Sequence, residues 1–274
     1  MVLFNNRNVV KSALAEPERS YLKLTEAMCN KNYPDEFELI FESNEDLLSL
    51  QIAKKMWDDI PSDERSDFST LYLQYCPYSL QEDLSTLRIV ADLINDLNFS
   101  TVMVADPHST AVPTLLRRCN VWYPIKEFLD KYDEQYPGGV WDFLFYMSSE
   151  DAIKYTKAIE RSYSYRYATK RPKTANDAYP DYDIMATEDD LRGEEILLIV
   201  DASTCACKDI QAVVSKLHDM GVAYIDLYIT HLRPADKAYI KECVDDKHPV
   251  RAIYSYDCMQ ILKSDKICET VTLN

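Results

Sequence analysis

Glycine is nearly missing from this sequence. Its 274 residues include four, Gly138, Gly139, Gly193 and Gly221, where average usage of about 7% would supply roughly 19. No two of the four have the spacing of a Walker loop or a dinucleotide-binding fingerprint, so both glycine-rich phosphate cradles are excluded. Long apolar runs are missing too. Stretches such as Ile196–Val200 fall far short of the roughly 20 residues that span a bilayer. Met1–Ser20 carries charges and no apolar segment, so no signal peptide is expected. Positive charge is in deficit: 30 Lys and Arg face 46 Asp and Glu, a net charge of −16. Such a field repels phosphate, so neither nucleic acid nor an anionic membrane is expected as a partner. Among eight cysteines, close spacing is confined to Cys205-Ala-Cys207. No second close pair follows to complete a four-ligand zinc pattern. A long chain without a secretion signal is expected to be cytoplasmic and reduced, with most thiols serving as small buried apolar groups.

Hydrophobic residues make up 47%, enough for packed domains, and the length predicts about two of them. Tyrosine is abundant at 20, which predicts a surface or interface rich in amphipathic aromatics. Apolar runs of strand length alternate with helical patterns. Strands are predicted over Phe37–Phe41, Thr70–Gln74, Thr101–Ala105, Phe143–Met147, Ile196–Asp201, Tyr224–Ile229 and Ala252–Tyr254. Leu47, Leu48, Ile52 and Met56 share one helical face, as do Leu84, Leu87, Val90, Ala91 and Ile94; Ile210–Met220 and Ala235–Val244 repeat the pattern. The alternation predicts the α/β class, with parallel sheets covered by helices. Two similar series of elements meet near Val121–Pro124, giving domains at 1–122 and 123–274 and suggesting a duplicated unit. The polar stretch Arg161–Asp190 reads as a mobile loop, although the period-two spacing of Tyr163, Tyr165 and Tyr167 suits a short strand or an interface. Glu188–Asp190 reads as a solvated helix start.

Ligands of open α/β sheets sit beyond the carboxyl ends of strands, which singles out three places. Asp106-Pro-His108-Ser-Thr110 follows a strand: Asp106 and His108 could jointly hold hydrated Mg²⁺ or a nucleotide phosphate, or Ser109 and Thr110 could simply cap a helix. Asp201-Ala-Ser-Thr-Cys-Ala-Cys-Lys208-Asp209 could hold a sugar phosphate through hydroxyls and N–H groups. It lacks glycine for close approach, and Asp209 serves equally as a helix cap. Lys170, Arg171 and Lys173 form the one local basic cluster, either a stabiliser of phosphoryl charge or a solvated loop.

Taken in order, these segments resemble the ribose-phosphate pyrophosphokinase family, the phosphoribosyl-pyrophosphate synthetases, in a compact phage-like form. The likeness runs from Asn32 to Arg233. Asn32-Tyr-Pro-Asp-Glu36 resembles the adenine-contacting loop, Asn44-Glu-Asp-Leu47 a helix start, and Tyr75-Cys-Pro-Tyr-Ser79 the Pro-Tyr-Ala/Ser motif. Leu93–Phe99 with Val104-Ala-Asp-Pro-His-Ser109 is the nearest stretch; Lys170-Arg-Pro-Lys173 resembles the catalytic loop, Asp190-Leu-Arg-Gly193 with Ile199-Val-Asp201 the approach to the ribose-phosphate loop, and Tyr228-Ile-Thr-His231 a strand end. The resemblance implies two tandem type I phosphoribosyltransferase-like domains, the first on the ATP side and the second on the ribose-phosphate side. It implies Mg²⁺ and ATP, and diphosphoryl transfer to the 1-hydroxyl of ribose 5-phosphate or a related ribosyl phosphate such as ADP-ribose, serving nucleotide or NAD synthesis. It assigns Lys170 and Arg171 to catalysis, Tyr33, Asp35, Glu36, Gln81 and His108 to ATP, Asp106 and His108 to metal, and Asp201, Ser203 and Thr204 to the acceptor. It also implies a homo-oligomer, with adenine sites completed across subunits.

The sequence departs from the family pattern at several loops. Leu80-Gln-Glu-Asp83 lacks an ATP-contacting Arg, Ser148-Ser-Glu-Asp151 replaces a glycine-containing pyrophosphate loop, and Ala202 and Cys205–Asp209 replace the second Asp and the phosphate cradle. These departures leave a second expectation standing: a catalytically degenerate homologue that acts as a nucleotide-binding regulator or a structural partner of an active synthetase.

Overall fold

The structure is a computed structural model describing residues 2–5, 7–8, 33–41, 43–79, 84–135, 139–159, 163–172, 180–202, 204–231 and 250–255. The chain divides into two compact units, Met1–Trp122 and Tyr123–Asn274. Each is built on a six-stranded, mainly parallel sheet.

Unit 1 comprises β1 (Val2–Phe4), β2 (Arg7–Asn8), β3 (Asp35–Leu39), α1 (Asn44–Asp58), β4 (Ser69–Leu73), α2 (Ser85–Asp96), β5 (Thr101–Ala105), α3 (Ala111–Leu115) and β6 (Cys119–Trp122). The sheet order is β2-β1-β3-β4-β5-β6. Strands β3 to β6 run parallel, and β1 is antiparallel to both its neighbours. Alternation along β3 buries Phe37 and Leu39 and leaves Glu36 exposed and Glu38 half-buried. Helix α1 starts where the Ser43 N–H reaches the Asp46 carboxylate at 2.9 Å, and it buries Leu47, Leu50, Ala53 and Trp57. Leu87, Val90, Ala91 and Ile94 of α2 complete the apolar face. Each such fully buried side chain contributes about 1.5–3 kcal/mol. Strands β1, β2 and β6 add to the expected strands.

Unit 2 comprises α4 (Pro124–Gln135), β7 (Phe143–Tyr146), α5 (Ser149–Ile159), β8 (Tyr165–Lys170), β9 (Tyr182–Ile184), α6 (Glu188–Leu191), β10 (Glu195–Asp201), α7 (Cys207–Asp219), β11 (Tyr224–Thr230) and β12 (Ala252–Ser255). The order is β12-β11-β10-β7-β8-β9, all parallel except the β8–β9 pair. Central β10 is covered on both faces, hence its unbroken Ile196–Val200 run. Ile210, Val213, Val214 and Leu217 of α7 cover one face. An aromatic layer with Phe128, Tyr132, Trp141, Tyr155, Tyr228 and Tyr254 covers the other, with Tyr132 and Trp141 stacked at 4.2 Å. Beyond the tyrosine expected at a surface or interface, Tyr132, Tyr146, Tyr155, Tyr228 and Tyr254 fill this core. The segment expected to be a loop at 161–190 instead holds β8, β9 and α6, and Tyr165 and Tyr167 of its tyrosine alternation lie in β8. The expected helix Ala235–Val244 lies outside the described residues. The scarce glycines close turns: Gly221, at φ 85°, ends α7, and its carbonyl accepts from the Gly193 N–H at 2.8 Å.

Candidate active site

In unit 2 the carboxyl ends of β7, β8 and β10 share one edge of the sheet, and a cavity of about 470 Å³ opens there. Its wall includes Ser148–Asp151 after β7, Ala168–Lys170 of β8, Tyr182 of β9, and Thr204, Cys205 and Asp209 at the head of α7. The structure thus gathers Lys170 and Thr204, far apart in sequence, around one space.

The centre of the arrangement is the Asp209 carboxylate, with a side chain only 10% exposed. It accepts from Lys170 Nζ at 2.6 Å, from the Tyr182 hydroxyl at 2.8 Å and from the Ala206 N–H at 3.3 Å. Burial alone would raise this carboxyl, but the bonds from Lys170 and Tyr182 and the Lys170 charge outweigh it and hold it below the usual carboxylate range. Burial, and then the same anion, push the Tyr182 hydroxyl up. The Cys205 thiol is raised by burial first and Asp209 second, so it resists the thiolate form that a metal ligand or nucleophile requires. Among the described residues no three-ligand metal cluster includes Cys205 or Cys207.

The expected phosphate loop is folded inward. The Thr204 and Cys205 N–H groups both donate to the Asp201 carbonyl, at 3.2 and 2.9 Å. Asp201 itself is buried, with His231 Nδ1 3.2 Å from its carboxylate; His231 caps β11 in the left-handed region at φ 52°. This His231 partner could have been sought from the Thr-His strand end. Ser203 lies outside the described residues. After β7, Ser148 Oγ accepts from the Asp151 N–H at 3.0 Å, capping α5 rather than facing a ligand. Three carboxylates on the wall, Glu150, Asp151 and Asp209, face the single ammonium of Lys170. Arg171 does not line the cavity. Its guanidinium pairs with Asp181 at 2.8 Å and with Asp183, within its own hairpin.

In unit 1, Asp106 follows β5 in the left-handed region at φ 42°, its N–H held by the Trp122 carbonyl at 2.8 Å. Its side chain is buried, whereas His108 is half-buried with its ring edge-on to Tyr75 at 5.6 Å. Mg²⁺ favours several waters and oxygen ligands, so the buried Asp106 carboxylate fits a hydrated ion poorly. Two motifs meet here: Tyr78, at φ 60°, donates to Asn44 Oδ1 at 2.5 Å. Tyr33 and Glu36 are exposed at the amino end of β3, the opposite end of the parallel sheet from His108. Asp35 is fully buried, its carboxylate taken by Trp57 Nε1 at 2.7 Å, Asn5 Nδ2 at 3.1 Å and the Ser66 N–H at 3.4 Å. It has no surface left for a nucleotide. Gln81 lies outside the described residues.

The sequence matches no family model and no curated protein. The structure is similar to that of the phosphoribosylpyrophosphate synthetase from Mycobacterium smegmatis, with a TM-score of 0.56 over 84% of this chain and 72% of that one, at 16% identity. The likeness is one of fold: two mainly parallel α/β units in succession. No helix among the described residues is long and apolar enough to cross a membrane.

Proposed function

We propose that the protein transfers a diphosphoryl group from Mg-ATP to the 1-hydroxyl of a ribosyl phosphate, with unit 1 serving the nucleotide and unit 2 the acceptor. The observation that carries this reading is the unit 2 cavity at the carboxyl ends of β7, β8 and β10, with Lys170 on its wall, within a fold like that of a phosphoribosylpyrophosphate synthetase. In the reaction the 1-hydroxyl oxygen attacks the β-phosphorus, its proton passes to solvent water, and the bond from the β-phosphorus to the bridging α-phosphate oxygen breaks to release AMP. Such transfer depends on positioning and charge neutralisation rather than on a covalent nucleophile. Lys170 meets the negative charge of the group in transfer once it leaves Asp209. Mg²⁺ enters with ATP as part of the substrate, and His108 meets the nucleotide phosphates. Tyr33 and Glu36, at the far end of the unit 1 sheet, serve the adenine site of a neighbouring copy, which supports a homo-oligomer.

A second reading is favoured by the inward-folded loop at 204–206 and by the ion pair that occupies Lys170: a degenerate homologue that binds nucleotide to regulate, or to assemble with, an active synthetase. AMP release from Mg-ATP separates the two, with ribose 5-phosphate and ADP-ribose supplied in separate reactions. AMP formed with one acceptor, at kinase-like turnover of about 1 per second or more, establishes transfer. A folded protein that still binds ATP but releases no AMP with either acceptor points to the regulatory or scaffolding reading.

A further inference from the structure

We propose that Asp209 is a resident occupant of the anion seat at the head of α7, and that it selects against acceptors presenting a terminal phosphomonoester to this cavity. Three donors of the kinds that hold phosphate converge on its carboxylate: the Lys170 ammonium at 2.6 Å, the Tyr182 hydroxyl at 2.8 Å and the Ala206 N–H at 3.3 Å. They come from three separate elements, β8, β9 and the turn into α7, which is how an anion site is assembled. Here the anion belongs to the chain. The adjacent Thr204 and Cys205 N–H groups are spent on the Asp201 carbonyl. The neighbouring wall adds Glu150 and Asp151. A doubly charged phosphate must therefore displace Asp209 from its donors or lie against like charge. A phosphate esterified on both sides carries one charge per phosphorus and asks less of the seat, as does an uncharged hydroxyl. The acceptor class assigned is accordingly a ribosyl group whose phosphate is a diester or part of a diphosphate diester. The choice of a ribosyl acceptor rests on the proposed function; the occupied seat does not.

Binding without nucleotide tests this. Calorimetric titration of the full chain with ribose 5-phosphate and with inorganic phosphate, at millimolar concentration, is expected to show no saturable binding to the native protein. Asp209→Asn, and Asp209→Ser as a second variant, are expected to gain at least tenfold in affinity for both probes, and adding Lys170→Met is expected to remove the gain. Native binding of ribose 5-phosphate as tight as that of D209N overturns the proposal, as does a gain that survives loss of Lys170. Should both variants fail to fold, the native protein still decides. Saturable binding of ribose 5-phosphate that is lost in K170M overturns the proposal. Binding of ADP-ribose but not ribose 5-phosphate, lost in K170M, upholds it. These readouts contain no ATP, so a failure of AMP release sinks the proposed reaction while leaving this result intact.

Discussion

Two aspartates show how the same side chain is stabilised in the interior of each unit. Asp226, fully buried on β11, accepts from Trp141 Nε1 at 2.7 Å and from Arg251 through Nε at 3.0 Å and Nη2 at 2.7 Å. This is a forked charge-assisted pair. Asp35 has an indole, an amide and a backbone N–H instead. A buried carboxylate so surrounded is a fixed part of the fold, and sequence alone could not distinguish it from a ligand-binding carboxylate of the same motif, since burial and partners 22 to 31 residues away are not written in Tyr33-Pro-Asp35. Cys76 was easier to read. It occupies the apolar slot before Pro77 and is buried, as a small apolar residue should be. Burial, with a smaller contribution from Cys119, pushes its thiol up from 9.0 to about 12. The folded protein thus holds this proton more tightly than the unfolded chain does. The stabilisation is complete below pH 9 and is lost as pH rises from 9 toward 12, by up to about 4 kcal/mol. Urea unfolding of the native protein and of Cys76→Ala between pH 8 and 11 should show a steeper alkaline loss in the native protein; parallel curves would refute the assignment.

At the scale of elements, the β8–β9 hairpin is tied to α7 from both ends. Lys170 reaches Asp209, and Lys216 reaches the Asp181 carboxylate at 2.5 Å and the Tyr182 carbonyl. Arg171 braces the hairpin internally against Asp181 and Asp183. The Lys216 and Arg171 pairs are exposed and screened by solvent, so each contributes little to global stability. Lys216→Met is therefore expected to change global stability by less than about 1 kcal/mol while speeding hydrogen exchange in the peptide spanning β9. Unchanged exchange there would show that Lys216 does not hold the hairpin. This element explains why sequence reading was uneven. Long strands such as β10 were legible because covering both faces demands an unbroken apolar run. β9 was not, because three residues and their ion pairs leave no pattern, and an irregular polar stretch reads as loop whether or not it is pinned. The site is legible in part for the same reason: Lys170 and Thr204 stand out in the sequence, Asp209 reads there as a cap, and Tyr182 is hidden in the loop.

On the scale of the whole molecule, the charge of −16 sets two effects against each other. Salt screens the mutual repulsion of the excess acids, which stabilises the folded chain, and it also screens the ion pairs, which destabilises it. Exposed pairs such as Lys55 with Asp59, Arg192 with Glu188, and the Arg171 and Lys216 contacts of the hairpin are local. Each is weak. The Lys170–Asp209 and Arg251–Asp226 pairs each have one largely buried partner and feel salt less. Repulsion should therefore prevail. Raising NaCl from about 0.01 M, where the Debye length is about 30 Å, to about 0.1 M, where it is about 10 Å, is expected to raise the melting temperature by roughly 2–4 °C, on the order of 1 kcal/mol. Scanning calorimetry across that range checks it. A melting temperature that falls with salt would mean that the local pairs outweigh the excess charge.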